Sequence, residues 1–337
     1  MDTAPTIRVG GAIGLPGVAK ALGLDLDQVI SEAGLPADVF DDPENVIPYA
    51  ALADLIARCV ALTGCHHIGL LVGEQNPPSA LGRIGFVIIN SPDVRSALEV
   101  LVKHLQYHDR GATVSLRTEN GFAFLSYTIL DPLLAGAEQI ADGAIATGLN
   151  IMRALCGADW RPSEVLLAHR APAITAPFKR VFGLAVRFDA EENALVFPSR
   201  WLDAQVKAVE PLLRRLLLAE LKPLEDSVRL DLVQEVTRVI PAMMGSRQCT
   251  AASIARLFGL TERSLQRHLA QQSTSFQGLL EQVRRQDATR LLRNTTLPLS
   301  QVAARLGYSE ASAFSRAFRR WEGVSPDQWR SAYLNGG

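Results

Sequence analysis

Cysteine is scarce and scattered: Cys59, Cys65, Cys156 and Cys249 form no C-x-x-C pair, so the chain offers no thiol-based zinc or redox site. The four are expected to be reduced and mostly buried. No stretch approaches the ~18 unbroken apolar residues of a membrane-spanning helix, and the start MDTAPTIRVGG lacks the basic-then-apolar order of a secretory leader. A cytoplasmic protein with no membrane partner is expected. Catalytic signatures are missing too, with no G-x-S-x-G, P-loop or G-x-G-x-x-G. Asp41-Asp42 and Glu191-Glu192 sit in polar turns, where solvated charge is the ordinary reading. His104 and His108 stand i, i+4 on an expected helix, but no Glu or Cys is spaced to complete a metal site, and Cys65-His66-His67 reads as a helix start. No enzyme activity, cofactor or metal is therefore expected.

The composition that remains is that of an ordered protein, 48% hydrophobic and 20% charged, and 337 residues suggest two domains. The net charge of −1 hides an asymmetry. Residues 1–228 carry 19 basic against 27 acidic side chains, while residues 229–337 carry 15 against 8. All fifteen basic residues of the tail are arginine, the side chain that makes planar, bidentate contacts to phosphates and guanine edges.

Short amphipathic helices are predicted around residues 16–22, 26–33 and 48–62, between Gly, Pro and Asp punctuation. Ser91-Pro92 is read as a helix start capped by the serine, followed by Val94, Leu98, Leu101, Val102 and Leu105 at helical spacing. The period then becomes two from Ala112, Asn120-Gly121 supplies a turn, and residues 122–129 return as the second arm of a hairpin. A helix over 135–155 and strands at 165–168, 186–188 and 195–197 complete an α+β front domain with an antiparallel sheet. Helices are predicted over 202–221 and 229–243, and the proline-containing polar stretch 222–228 between them reads as a linker. The expected domains are thus an α+β unit over 1–221 and an all-α unit over 229–337.

Within the tail, AASIARLFGLTERSLQRHL and LSQVAARLGYSEASAFSRAF repeat at an offset of 48, Gly259 matching Gly307. In each copy a helix ends at a glycine, and Thr261 or Ser309 is placed to cap a second helix. That is helix-turn-helix geometry, over about 251–271 and 300–321. The second helices are expected to bury Leu265 and Leu269, or Phe314 and Phe318, leaving Arg263, Gln266 and Arg267 free in one copy and Ser312, Ala313, Ser315 and Arg316 in the other. These seven are the candidate base contacts. Thr261, Ser309, Arg319 and Arg320 are the candidate phosphate contacts. A helix over 276–293, roughly 27 Å long at 1.5 Å per residue, would bring the two units toward the ~34 Å separation of successive major grooves.

The closing segment, with Gly307-Tyr308, Phe314-Ser315-Arg316-Ala317-Phe318-Arg319-Arg320-Trp321, Gly323 and Ser325-Pro326, resembles the DNA-binding domain of the AraC/XylS family of bacterial transcription regulators. The resemblance spans roughly residues 229–334. It departs at Trp329, where the family more often has Tyr or Phe, and at Ser273, where a glycine is common. The stretches 61–74 and 80–106 resemble the front domain labelled arabinose-binding in part of that family. Together these imply a regulator that binds double-stranded promoter DNA, senses a small organic effector in a pocket the residues do not identify, forms a homodimer and has RNA polymerase as a further partner. The alternatives left open are an enzyme bearing a DNA-binding tail of this kind, and a DNA binder whose front domain only dimerises.

Overall fold

The computed structural model describes residues 4–131, 133–206, 213–219, 221, 232–244, 249–258, 260–295 and 297–334. The chain forms two compact units, Met1–Glu225 and Asp226–Gly337. The first is α+β and the second, among its described residues, is entirely helical.

The front unit is organised on a four-stranded antiparallel sheet of order β3-β4-β6-β5, built from β3 (Ala112–Glu119), β4 (Phe122–Ile129), β5 (Glu164–Leu166) and β6 (Asn193–Pro198). Glu119 faces Phe122, so Asn120 and Gly121 form a two-residue turn, and both have positive φ (50° and 82°). That is the backbone which matches the twist of a hairpin, and Asn-Gly adopts it with least strain. Alternate residues of β4 (Ala123, Leu125, Tyr127, Ile129) enter the main core, while Phe124 joins a small cluster with Leu166, Ala194 and Val196 on the opposite face. A short pair, β1 (Thr6–Arg8) with β2 (Val46–Pro48), lies outside this sheet.

Helices α1 (Leu15–Ala21), α2 (Leu26–Glu32), α3 (Tyr49–Thr63), α4 (Ile68–Gln75), α5 (Arg83–Ile89), α6 (Val94–His104), α7 (Ala137–Cys156) and α8 (Ala176–Phe182) complete the unit, with helical turns again at 213–219, α9. No single described helix is long and apolar enough to cross a membrane; α3 and α4 pass only as a pair bent by 117°. The two central helices, α4 and α7, meet at their backbones. Gly69 lies against Gln139, and Gly73 against Gly143. Asn150 of α7 then places its Nδ2 2.9–3.1 Å from the carbonyls of Gly73, Glu74 and Asn76, satisfying the end of α4.

Several expectations change. Helix α6 is capped by Asp93, which accepts from the Ser96 N–H at 2.7 Å, whereas Ser91 bonds back to the Val87 carbonyl. A residue before proline is steered away from helical backbone, so the cap falls after Pro92. The strand expected at 186–188 is one isolated bridge, Arg187 to Leu166. In place of a helix from residue 202 there is a 3-10 turn, Ser199–Asp203, and Gln205 then bridges to Asp93. Helix α6 ends at His104, so His108 follows a further 3-10 turn and does not share its face. Glu192 is half-buried and paired rather than a free solvated charge: it meets Arg117 at 2.7 Å and accepts from Ser126 Oγ at 2.6 Å. The linker 222–228 and Gly259 lie outside the described residues.

A buried ion pair ties α7 to the loop after β5. Asp142, fully buried, meets His169 Nε2 at 2.8 Å, and His169 packs against Phe178 and Phe188. Burial pushes Asp142 up to about 6 against the pull of the imidazole. Burial opposes the charged form of His169 as well, but the hydrogen bond and charge of Asp142 outweigh it and raise the ring to about 9. A folded value above the ordinary 6.5 means that this stabilisation is full near pH 6.5 and is lost as pH rises through about 9, while protonation of Asp142 ends the ion pair as pH falls below about 6. His169→Gln, which keeps a donor but no charge, is expected to cost about 1–2 kcal/mol near pH 7. In denaturant titrations the gap to wild type should shrink by pH 9.5; a gap that does not change with pH would refute the assignment.

Candidate nucleic-acid interface

The helical unit has one core. Leu232, Val236, Val239 and Ile240 of α10 (Leu232–Met244), Ile254 of α11 (Ala251–Leu257), Leu265 and Leu269 of α12 (Glu262–Gln271), Leu279, Val283 and Leu292 of α13 (Phe276–Asn294), Val302 of α14 (Leu299–Arg305), and Phe314 and Phe318 of α15 (Ala311–Glu322) form a single cluster. Trp329 of α16 (Pro326–Leu334) closes it edge-on to Phe318. The expected pairs Leu265/Leu269 and Phe314/Phe318 are fully buried, which fixes the direction of each recognition helix's other face.

Thr261 caps α12, accepting from the Ser264 N–H at 3.2 Å. The second unit differs from its repeat: Ser309 is exposed and does not cap, and α15 begins one residue later than the offset implies, after Glu310. Glu310 instead accepts from Ser312 Oγ at 3.0 Å. Gly307 has φ +72°, and a Cβ there would collide with the Met244 carbonyl, so both backbone angle and space require glycine. Ser273 takes the left-handed backbone (φ 56°) just past α12, the place the absent glycine would fill. Arg284 braces the second turn from α13: its Nε donates to the Leu306 carbonyl at 2.9 Å and its guanidinium lies over the Tyr308 ring, 4.7 Å from the centroid.

Of the expected base contacts, Arg263, Gln266, Arg267, Ser312 and Arg316 are exposed, while Ala313 and Ser315 are half-buried. Gln266 leans on Glu262 at 3.2 Å. The arginines divide by function. Arg285 pairs with Glu322 (2.7 Å), Arg290 with Asp287 (3.0 Å) and Arg330 with the Leu297 carbonyl (2.8 Å). Arg263, Arg267, Arg316 and Arg319 form no ion pair among the described residues. Arg320, expected on phosphate, meets Glu281 at 2.5 Å, and Trp321 Nε1 donates to the same oxygen at 2.8 Å. The Trp321 and Arg320 hydrogen bonds hold the Glu281 carboxyl below its usual range. Arg305, at the end of α14, is exposed and unpaired among the described residues; at the offset of 48 it matches Leu257, so the repeat does not mark it.

The front unit holds a second feature, a partly open cavity of about 110 Å³ between the sheet, α3, α4, α6 and α7. Its walls are mostly aliphatic, with His108, Asp109, Ser126, Tyr127, Gln139 and Thr147 as the polar side chains.

Residues 23–206 match the model for the arabinose-binding domain of AraC transcription regulators, N-terminal, and residues 254–332 match a helix-turn-helix domain. The chain belongs to the AraC/XylS family of transcription regulators. It is 28% identical to the ornithine utilization regulator of Pseudomonas aeruginosa, covering 98% of both chains. It is 25% identical to the regulator VirS of Mycobacterium tuberculosis, again over 98% of each. Among solved structures, CdpR of P. aeruginosa aligns over 91% of this chain and 96% of its own at 22% identity, with a TM-score of 0.45. The matched helix-turn-helix region contains both recognition helices of this AraC/XylS member.

Proposed function

We propose that this AraC/XylS regulator binds promoter DNA with α12 and α15 in successive major grooves, and that the front unit gates this binding by holding a small effector. The carrying observation is that four arginines of the recognition helices, Arg263, Arg267, Arg316 and Arg319, are exposed and form no ion pair among the described residues, while Arg284, Arg285 and Arg330 brace the fold. Arg263, Gln266, Arg267, Ser312, Ala313, Ser315 and Arg316 are assigned to base edges, and Thr261, Ser309, Arg319 and Arg305 to phosphates. Arg320 joins the phosphate contacts by exchanging Glu281 for the backbone of the duplex. Residues 1–221 act as the sensing unit, 222–228 as the linker and 229–337 as the reader.

Selection of full-length protein on a random duplex library tests this. The expected result is a site of two short segments, centred about one helical turn apart, with affinity falling steeply as salt rises. Enrichment of a single segment, or binding indifferent to sequence, would overturn the two-groove reading.

A further inference from the structure

The cavity of the front unit is selective in what it leaves unsatisfied. Gln139 is spent at both ends, accepting from the Gly69 N–H and donating to the His66 carbonyl. Thr147 bonds Gly143 and Asn76, and Ser126 bonds Glu192. Tyr127 donates to Asp109 Oδ2 at 2.6 Å, and Asp109 Oδ1 accepts from the Gly111 N–H at 2.8 Å. His108 differs. Its ring lines the cavity at 5% exposure, and its Nδ1 is buried with no hydrogen-bond partner among the described residues. Burial, aided by the charge of Arg8, lowers the ring to about 4, so it is neutral at physiological pH.

Resting on the reading of this unit as an effector sensor, we propose that the cavity takes an uncharged, largely apolar molecule of single-ring size, whose one polar group bonds the imidazole of His108. The volume sets the size. A dry cavity of roughly 150 Å³ holds benzene, so about 110 Å³ sets a single small ring as the upper limit, and a six-membered ring enters only if the walls widen. Charge sets the class. The one ionisable acid in the wall is Asp109, whose two oxygens already accept hydrogen bonds, and no lysine or arginine lines the space. A carboxylate would enter without a counter-charge, and a zwitterionic amino acid would bury both charges against one committed side chain. A pentose fails on another count: several hydroxyls would compete for one unspent imidazole, leaving the rest desolvated and unpaired. The ligand class therefore differs from the sugar in the name of the matching domain model.

Thermal denaturation and saturation-transfer NMR of the full-length protein test this with benzyl alcohol, toluene, benzoate, arabinose and ornithine as probes. Benzyl alcohol is expected to raise the midpoint and to bind more tightly than toluene, while benzoate, arabinose and ornithine have no effect. His108→Phe should reduce benzyl alcohol affinity about tenfold, to near that of toluene, leaving toluene unchanged. The wild-type comparison stands even if that variant does not fold. If arabinose or ornithine binds and the neutral aromatics do not, the ligand class is wrong and the sensor reading survives. If none of the five binds, the cavity is packing space and the proposal falls with the sensor role assigned to it.

Discussion

Arg267→Ala and Arg316→Ala are each expected to weaken binding to the selected operator by about 1–3 kcal/mol, and to relax sequence preference at different positions about one helical turn apart. Neither side chain has an acidic partner among the described residues, so its truncation removes no internal ion pair, and folding should be unaffected. Inserting about five base pairs between the two segments should do more, since it turns one groove to the far side of the duplex. One unit must then release, and affinity should fall by at least about a hundredfold. Equilibrium binding to a panel of single-base operator variants reads both effects. Loss of preference at the same bases in both variants, or an unchanged Kd for the spaced operator, would show that the two helices do not read separate grooves.

Glycine-to-alanine exchange within helices of the front unit is expected to have opposite signs at two positions. At Gly17 of α1 a Cβ meets nothing within 4 Å, so alanine should stabilise by about 0.5–1 kcal/mol through helix propensity alone. At Gly73 of α4 a Cβ would collide with the Gly143 carbonyl oxygen and stand 2.7 Å from the Gly143 Cα. Backbone cannot move aside as a rotamer can, and α4 would have to lift from α7, straining the three contacts of Asn150. Gly73→Ala should therefore cost about 2 kcal/mol despite the propensity gain, and Gly73→Val at least about 3. Denaturant midpoints of the full-length variants decide it. A Gly73→Ala protein as stable as wild type would mean that the helices are not held at backbone contact.

The tail was the legible part of the chain. Its repeat, the period of its apolar residues and the Thr261 cap are local signals, and the helix joining the units, read as 276–293, forms as Phe276–Asn294. The hairpin was legible for the same reason, since Asn120-Gly121 specifies its own turn. What escaped depends on distant partners. Gly69 and Gly73 stand four apart in sequence, but Gly143, the residue that makes Gly73 necessary, lies seventy residues on. Asp142 sits in an apolar stretch where its partner, His169, leaves no mark. The cavity draws its walls from many elements at once, so no local pattern marks them, and in sequence His108 stands out only as half of an incomplete metal pair with His104. Ser309 shows a smaller failure: the second turn holds one residue more than the first, so α15 starts after Glu310 and Ser309 falls one position short of the cap.

The single core shared by both recognition helices has a consequence for the duplex. Leu265 and Leu269 pack into the same cluster as Phe314 and Phe318, and Arg284 bolts the second turn to the helix between them. With both recognition helices packed on one core, such a reader resists changes of span, so under the two-groove reading mismatch with straight B-form geometry is taken up mainly by the DNA. Base steps between the two contacted segments, touched by no side chain, then enter the affinity through their stiffness: pliant pyrimidine–purine steps there should favour binding and rigid A-tracts oppose it.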